Sequence, residues 1–427
     1  MEKINLLLAL TGAFILSVTV VEGRDIAGPA VKLGIDVLVE KHADMLKGKS
    51  VGLITNATGV DGRLRSTADI ICGMPDVRLA ALFAPEHGIR GGVMGYTEDE
   101  TDPKTGVKVI SVGASEPTAK MLNGIDILLF DIQDIGSRSY TYISTMKHCM
   151  SAAARYNVPF VVLDRPNPMG GLIVDGPVLD MKFQSVVGIG PVAYVHGMTI
   201  GEIAQFFNTE MQINCNLTVI RMEGWRRDMY WEDTGLAWVP TSPHIPEPDS
   251  PLYYPVTGII GELSTVSIGV GYTLPFKIVG APWMDAEKFT AVMNSKNLPG
   301  VFFQPFYFKP FYGMFFNARE KEKTPQCNGF RIIITDRKKF LPVVTSYNII
   351  DALMTEYPGK LSFSISEHLP AIQKQEKKKM LGMFDKVNGT DIIRLQFQNG
   401  LRAEEIVSGY QPALKEFIER RKQYLLY

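Results

Sequence analysis

Cysteine is scarce in this chain. There are four among 427 residues (Cys72, Cys149, Cys215 and Cys327), and no two share Cys-x-x-Cys spacing. That argues against a zinc knuckle or a redox motif and leaves them as small buried hydrophobes. Histidine is scarce too, with six residues and no His-x-His or His-x-x-x-His pair, so a metal site built from His87, Asp131, Asp134 and His196 lacks its usual spacing. Charge of one sign is missing: 44 basic residues against 45 acidic ones give a net charge of −1. Nucleic acid and an anionic membrane surface therefore find no electrostatic footprint. No Gly-x-Gly-x-x-Gly follows the first strand and no Gly-x-x-x-x-Gly-Lys-Ser/Thr occurs, so dinucleotides and nucleoside triphosphates lack their phosphate loops. Without Gly-x-Ser-x-Gly, a Ser-His-Asp mechanism has no nucleophile. No cofactor is expected.

What is present begins with a leader. Lys3, an apolar core over 4–18 and the segment Val21-Glu22-Gly23-Arg24 have the layout of a secretory signal peptide over 1–23. The apolar core is short for a membrane span, and no cysteine follows it to carry a lipid. The expectation is export to the periplasm or beyond, with no stable membrane insertion after cleavage.

From residue 50 to 220, apolar runs alternate with helical patterns. Strands are predicted at 51–55, 78–83, 108–112, 125–130, 158–163 and 217–222. A helix over 140–156 places Ile143, Met146, Cys149, Met150 and Ala153 on one side. Thr199 followed by Glu202 three residues later forms a capping box for another helix. Continuous apolar strands separated by helices mean an α/β domain with a parallel sheet covered on both faces. Six prolines between 238 and 255 (Pro240, Pro243, Pro246, Pro248, Pro251 and Pro255) read as irregular structure. The boundary is placed at their end, giving a domain over 24–255 and a smaller α+β domain over 256–427. The second domain has a strand at 330–335 and helices at 345–357 and 411–424. The basic run over 374–379 reads as a solvated face.

The chemistry gathers where strands end. Asn56, then Glu86 with His87, then Asp131 with Gln133 and Asp134, then Asp164 with Arg165 and Asn167 each follow an apolar run. Parallel strands put these ends on one edge of the sheet, where ligands bind. Carboxylates around a pocket suit glycoside hydrolysis, one of them protonating the leaving oxygen. Glu86 is the candidate acid, because Phe83 and Pro85 supply apolar surroundings. The competing reading has it capping its turn or pairing with Arg90. His87 tunes Glu86, binds substrate or holds a loop. Arg138 and the hydroxyls of Gly136-Ser137-Arg138-Ser139-Tyr140-Thr141-Tyr142 open a helix and suit an anion. Trp225, Trp231, Trp238, Tyr253, Tyr254, Tyr272, Phe276 and Trp283 supply either a sugar platform or inter-domain packing.

Read together, the motifs resemble the NamZ family. They run in order: Gly52-Leu53-Ile54-Thr55-Asn56-Ala57-Thr58-Gly59, Phe83-Ala84-Pro85-Glu86-His87-Gly88-Ile89-Arg90-Gly91 and Phe130-Asp131-Ile132-Gln133-Asp134-Ile135-Gly136-Ser137-Arg138. Leu163-Asp164-Arg165-Pro166-Asn167-Pro168, His196-Gly197-Met198-Thr199-Ile200-Gly201-Glu202 and Gly280-Ala281-Pro282-Trp283 continue the series. Characterised members of that family, long catalogued as a domain of unknown function, are exo-acting β-N-acetylmuramidases. They release terminal N-acetylmuramic acid from the non-reducing end of peptidoglycan fragments. The resemblance implies a Rossmann-like first domain, a smaller second domain, an active-site cleft between them and a catalytic Glu86. The chain departs from the pattern at Gly261-Glu262-Leu263-Ser264 and at Val270, where many members carry an arginine.

On this reading muramic-acid-containing peptidoglycan fragments are the partner, with Glu86 as general acid and one of Asp131, Asp134 or Asp164 assisting beside His87. Asn56, Arg90, Gln133, Arg138, Tyr142, Arg165, Asn167 and His196 bind the sugar. Arg138, Arg90 or Arg165 meets the lactyl carboxylate. Two rivals stand against it: a non-catalytic periplasmic glycan-binding protein, and a metal-dependent amidase or phosphoesterase.

Overall fold

The structure, a computed structural model, describes residues 29–427 apart from 94, 113–114, 264, 312–323, 362 and 364–381. The leader over 1–23, Ser264 and the basic run over 374–379 lie outside the described residues.

Helix α1 (Gly34–Lys41) precedes β1 (Ser50–Thr55), and α2 (Thr67–Cys72) leads into β2 (Arg78–Ala84), β3 (Glu100–Thr101) and β4 (Lys108–Ser111). The chain then crosses back to β5 (Ile127–Asp131), α3 (Tyr142–Arg155), β6 (Phe160–Leu163), the hairpin-like pair β7 (Asp175–Val178) and β8 (Ala193–Val195), α4 (Ile200–Glu210) and β9 (Leu217–Ile220). Seven of these strands form one sheet in the order β3-β4-β2-β1-β5-β6-β9, parallel except for the short edge strand β3. The order reverses at β1: later strands leave it first through β2 and then through β5. Such a switch point opens a crevice beyond the strand ends. Here that crevice lies between the turns after β1 and β5. Register brings the ends level, with Thr55 opposite Asp131, Ile54 opposite Phe83 and Ala84 opposite Ser111.

Strand side chains alternate between two cores, as a period of two requires. Leu53, Leu82, Leu129 and Val161 face a cluster with Leu33, Ile35, Leu38 and Ile71 from α1, α2 and the segment before α1. Ile54, Phe83, Phe130 and Val162 face the larger cluster, with Met146 and Met150 of α3 and Phe206 and Phe207 of α4. Helix α4 starts as its capping box requires: Thr199 Oγ1 accepts from Glu202 N, and Glu202 Oε2 accepts from Thr199 N.

The prolines do not keep the chain irregular to residue 255. Helix α5 (Ser250–Gly261) includes both Pro251 and Pro255. Pro251 falls in the first turn, where an amide has no intrahelical partner to lose. Pro255 forfeits a bond, which the burial of Leu252, Val256, Ile259 and Ile260 outweighs. Beyond it lie β10 (Ile278–Ala281), α6 (Ala286–Ser295), β11 (Val301–Phe308) and β12 (Cys327–Ile334), which form a three-stranded sheet in the order β10-β12-β11 with α6 packed against it. Helices α7 (Pro342–Glu356), α8 (Met383–Asn388), α9 (Ile392–Gln398) and α10 (Ala403–Arg421) complete this smaller part. The large core cluster runs through both parts, from Ile54 and Tyr194 to Tyr347, Leu414 and Phe417. Of the cysteines, Cys149, Cys215 and Cys327 are buried and Cys72 is exposed; all four carry free thiols.

Candidate active site

Strand β2 ends in a turn closed by Gly88 N donating to Pro85 O at 3.0 Å. Its third residue, His87, has φ +72°, the region a type II turn reserves for glycine. A histidine tolerates it at a cost of about 1–2 kcal/mol. The imidazole is held in place as well: Nδ1 donates to Val93 O at 2.8 Å, and the backbone N–H donates to Gly95 O at 2.7 Å. Gly88, at φ +74°, suits its place, because a Cβ there would be strained and would stand 2.8 Å from Thr97 Cγ2, forcing that side chain to shift. The turn thus presents Glu86 in one orientation. The carboxylate is half-buried, and its Oε2 accepts from Thr141 Oγ1 at 2.7 Å.

Thr141 stands just before α3, and its neighbours carry the opposite wall. The Tyr142 hydroxyl donates to Thr241 O at 2.5 Å, and burial first, then the nearby charges of Glu86 and Asp134, holds it well above the usual phenol range. The same Thr241 exchanges a hydrogen bond of 2.7 Å with the Tyr140 hydroxyl. Asn56, 5% exposed, lies beside Tyr142; its Oδ1 accepts from Thr58 N and Thr58 Oγ1 at 2.9 and 2.6 Å. Thr58 Oγ1 in turn accepts from Gln133 N at 2.9 Å, which ties the end of β1 to the end of β5. Asp134, 6% exposed, accepts from Gly136 N at 2.7 Å through Oδ2. Burial pushes its carboxyl up to about 7. His196 Nε2 stands 3.8 Å from Asp134 Oδ2, beyond hydrogen-bond reach. Its Nδ1 accepts from Met198 N, so Nε2 carries the proton; burial first, then Arg421 and Arg138, pulls the ring down to about 3 and keeps it neutral. Asn56 Nδ2 donates to the Tyr142 hydroxyl oxygen, and three buried atoms in this neighbourhood have no hydrogen-bond partner among the described residues: Gln133 Oε1, Asp134 Oδ1 and His196 Nε2.

Other strand-end groups turn away into the fold. Asp131 takes a two-pronged hydrogen bond from Arg165 Nε and Nη2 at 2.5 and 2.9 Å and a third from Thr67 Oγ1. Arg165 Nη2 also donates to Val60 O at 2.7 Å. Asp164 accepts from Gly201 N, Arg165 N, Thr199 Oγ1 and Tyr427 Oη, all within 3.0 Å. It serves the first turn of α4, and burial raises it to about 7. Asn167 bridges Met198 O and Met169 N. Arg138 is fully buried, donating to Pro177 O, Val192 O and Val387 O at 2.7–2.9 Å. Burial lowers its guanidinium to about 10. It bonds to carbonyls at a place an anion cannot enter. Arg90 is mostly exposed and paired with Asp102. The three arginines read as partners for a substrate carboxylate are therefore all engaged by the protein itself. Glu86 does not pair with Arg90 either: its contact is Thr141, and Arg90 goes to Asp102.

Models of the exo-β-N-acetylmuramidase NamZ match this chain in two pieces, the N-terminal one over 51–249 and the C-terminal one over 252–427. The chain belongs to the NamZ family. It is accordingly a glycosidase. A relative from Bacillus subtilis (strain 168), the peptidoglycan β-N-acetylmuramidase NamZ, is 41% identical over 403 residues, covering 93% of this chain and 92% of its own. Two crystal structures of DUF1343 family proteins from Bacteroides fragilis NCTC 9343 share the fold. One is 42% identical with a TM-score of 0.83, the other 29% identical with a TM-score of 0.70; each match covers 93% of this chain and 99% of the other. The join between the two NamZ models falls at the first turn of α5.

Two residues that strand-end logic does not name stand nearby, one beside a second pair of tyrosines and one beside the His87 turn. Glu262, just past α5, has one enclosed oxygen, Oε2, without a partner among the described residues, and burial pushes it up to about 7. Its charge reaches the Tyr194 and Tyr254 hydroxyls, which meet at Ser139 Oγ (2.7 and 3.3 Å). His244 comes from the proline-rich loop and lies close enough to His87 that, after burial, the charge of His87 lowers it further. Glu262 carried one sequence signal, its place in the Gly261-Glu262-Leu263-Ser264 stretch that departs from the family pattern, whereas His244 was only a polar residue in a proline-rich stretch. Val270 is buried in the shared core.

Proposed function

We propose that this chain removes terminal β-linked N-acetylmuramic acid from the non-reducing end of peptidoglycan fragments, in cell-wall turnover outside the cytoplasm. Glu86 is the general acid. One observation carries this reading: a half-buried glutamate is presented by a strained turn beside the sheet's switch point, on a chain of the exo-β-N-acetylmuramidase family. The carboxyl of Glu86 gives its proton to the glycosidic oxygen as the bond to the sugar breaks, while Thr141 fixes the other carboxyl oxygen. Of the three aspartates that could assist, Asp131 and Asp164 have their oxygens occupied by protein donors. Of these three, Asp134 alone keeps an unengaged oxygen. The strain at His87 supports a functional turn, since such conformations persist where the surrounding fold holds them.

The test is direct. Chromogenic β-N-acetylmuramide should be hydrolysed and the matching glucosaminide should not; cleavage of the glucosaminide alone would sink the specificity. Glu86→Gln should lower kcat by about 10²–10⁴-fold while leaving sugar binding within a few-fold. Wild-type turnover in that variant would remove Glu86 from the mechanism.

A further inference from the structure

Two routes lead from the start of β10, in the smaller part, to the Glu86 carboxylate. The first is polar. Lys277 immediately precedes β10, and its backbone is fixed there by Ile332 N donating to Lys277 O at 2.9 Å. The residue is 7% exposed, and its Nζ donates to Glu247 and to both oxygens of Asp249, at 2.8 and 3.1 Å. Both acids belong to the proline-rich loop. Pro243, Pro246 and Pro248 fix backbone angles there. Ile245 N donates to Ser242 O at 3.0 Å, and Trp238 Nε1 donates to Ile245 O at 3.2 Å. The loop is thus a stiff piece, and at its other end stands the buried Thr241. Thr241 holds the hydroxyls of Tyr140 and Tyr142, which flank Thr141 in the chain, and Thr141 holds Glu86 Oε2. The second route is apolar. Phe276, next to Lys277, meets Tyr254 edge to face with ring centres 5.0 Å apart; Tyr254 meets Tyr140 at 5.8 Å, and Tyr140 meets Tyr142 at 4.9 Å. The two routes close a circuit on the tyrosines beside Thr141.

We propose that Lys277 is a positioning residue for the general acid Glu86. It docks the proline-rich loop on the smaller part, so that Thr241 sets Tyr140 and Tyr142, and Thr141 between them sets the carboxyl group. This deepens the proposed function and rests on it. Without the ammonium, Glu247 and Asp249 lose their shared partner, repel one another and release the loop. A general acid works only within hydrogen-bond reach of the leaving oxygen, and a misplacement of about 1 Å can cost about a hundredfold in rate. The loss falls unevenly on substrates. Dinitrophenolate departs without a proton, whereas a phenol needs one, so only the second depends on where Glu86 points.

The experiment measures kcat and KM on paired dinitrophenyl and phenyl glycosides, muramides or glucosaminides, whichever the wild type cleaves. In Lys277→Met, kcat should fall about tenfold on the phenyl glycoside and less than about twofold on its partner, with both KM values within about twofold. Lys277→Arg still donates to both acids and should stay within about threefold of wild type on both. Asp175→Ala, which loosens the joint between the parts at α7 and α10 rather than at the loop, controls for lost stability and should leave both rates of the folded protein unchanged. If Lys277→Met does not fold, the double variant Glu247→Gln/Asp249→Asn breaks the same contacts from more exposed side chains and decides in its place, with the same split expected. Equal slowing on both leaving groups means a merely structural residue and overturns the proposal. No slowing, or failure of arginine to restore the phenyl rate, overturns it too. Glu86→Gln, run on the same pair, should show a larger split. A split in Glu86→Gln that Lys277→Met lacks sinks the role of Lys277 alone. Its absence from Glu86→Gln removes the general-acid reading and Lys277 with it, as does a wild type that cleaves neither sugar.

Discussion

At the scale of single residues, the site is a set of side chains denied their usual comforts. His87 occupies a backbone conformation that glycine would adopt freely. His87→Gly should therefore leave stability unchanged or raise it by up to about 1 kcal/mol, while loosening Glu86 and lowering kcat. Urea unfolding and steady-state rates on the same preparation separate the two effects. Glu262 offers a second case. Its pKa is raised from 4.5 to about 7 by burial, so the folded chain holds that proton more tightly than the unfolded one. The stability this gives is complete below pH 4.5 and is lost as pH rises through about 7. Glu262→Gln, which carries no charge to desolvate, should match wild type in thermal midpoint at about pH 4 and exceed it at about pH 8. An equal shift at both values would show that desolvation of the carboxylate does not weaken the fold.

At the scale of elements, the boundaries of strands and helices follow apolar periodicity closely: β1, β2, β5, α3 and α4 lie within a few residues of where the pattern puts them. Convergence of strand ends was legible too, since parallel strands leave no other choice. Which of the converging groups the fold itself engages was not. Asp131, Asp164 and Asn167 look in sequence like Glu86 and Asp134, but their partners Arg165, Thr199, Tyr427 and Met198 come from other elements, and only tertiary structure brings them together. Arg138 shows the same blindness. An arginine at the opening of a helix suits an anion, yet this one ties the turn before α3 to the carbonyls of Pro177, Val192 and Val387. Replacing it with alanine strands three buried carbonyls at about 1–3 kcal/mol each and should destabilise the protein by about 3 kcal/mol or more. Arg90→Ala removes a mostly exposed guanidinium from the buried Asp102, whose carboxylate keeps Thr105 N and Thr105 Oγ1 as donors, and should cost about 1 kcal/mol. Chemical denaturation of both variants tests the contrast, and equal losses would refute the burial argument.

At the scale of the whole molecule, the two parts are less separate than a two-domain reading implies. One apolar cluster passes through both, and a polar joint reinforces it. Asp175 of β7 accepts from Val343 N and Val344 N in the first turn of α7 and from the Tyr410 hydroxyl of α10. A carboxylate from one part therefore caps a helix of the other. Unfolding should follow a single transition, with tryptophan fluorescence and far-ultraviolet circular dichroism coincident, and Asp175→Ala should lower stability by about 1–2 kcal/mol. Two resolved transitions in the wild type would show that the parts fold on their own.

The shared core also bears on how such chains can be recombined. Although two family models divide the sequence at the start of α5, exchanging everything beyond that point for the matching half of a relative would set Tyr194 and Phe206 against foreign neighbours in place of Tyr347 and Phe417. Hybrids joined there should express as soluble protein only when both faces of that packing come from one parent. Each half is the other's packing partner, and neither is a cassette.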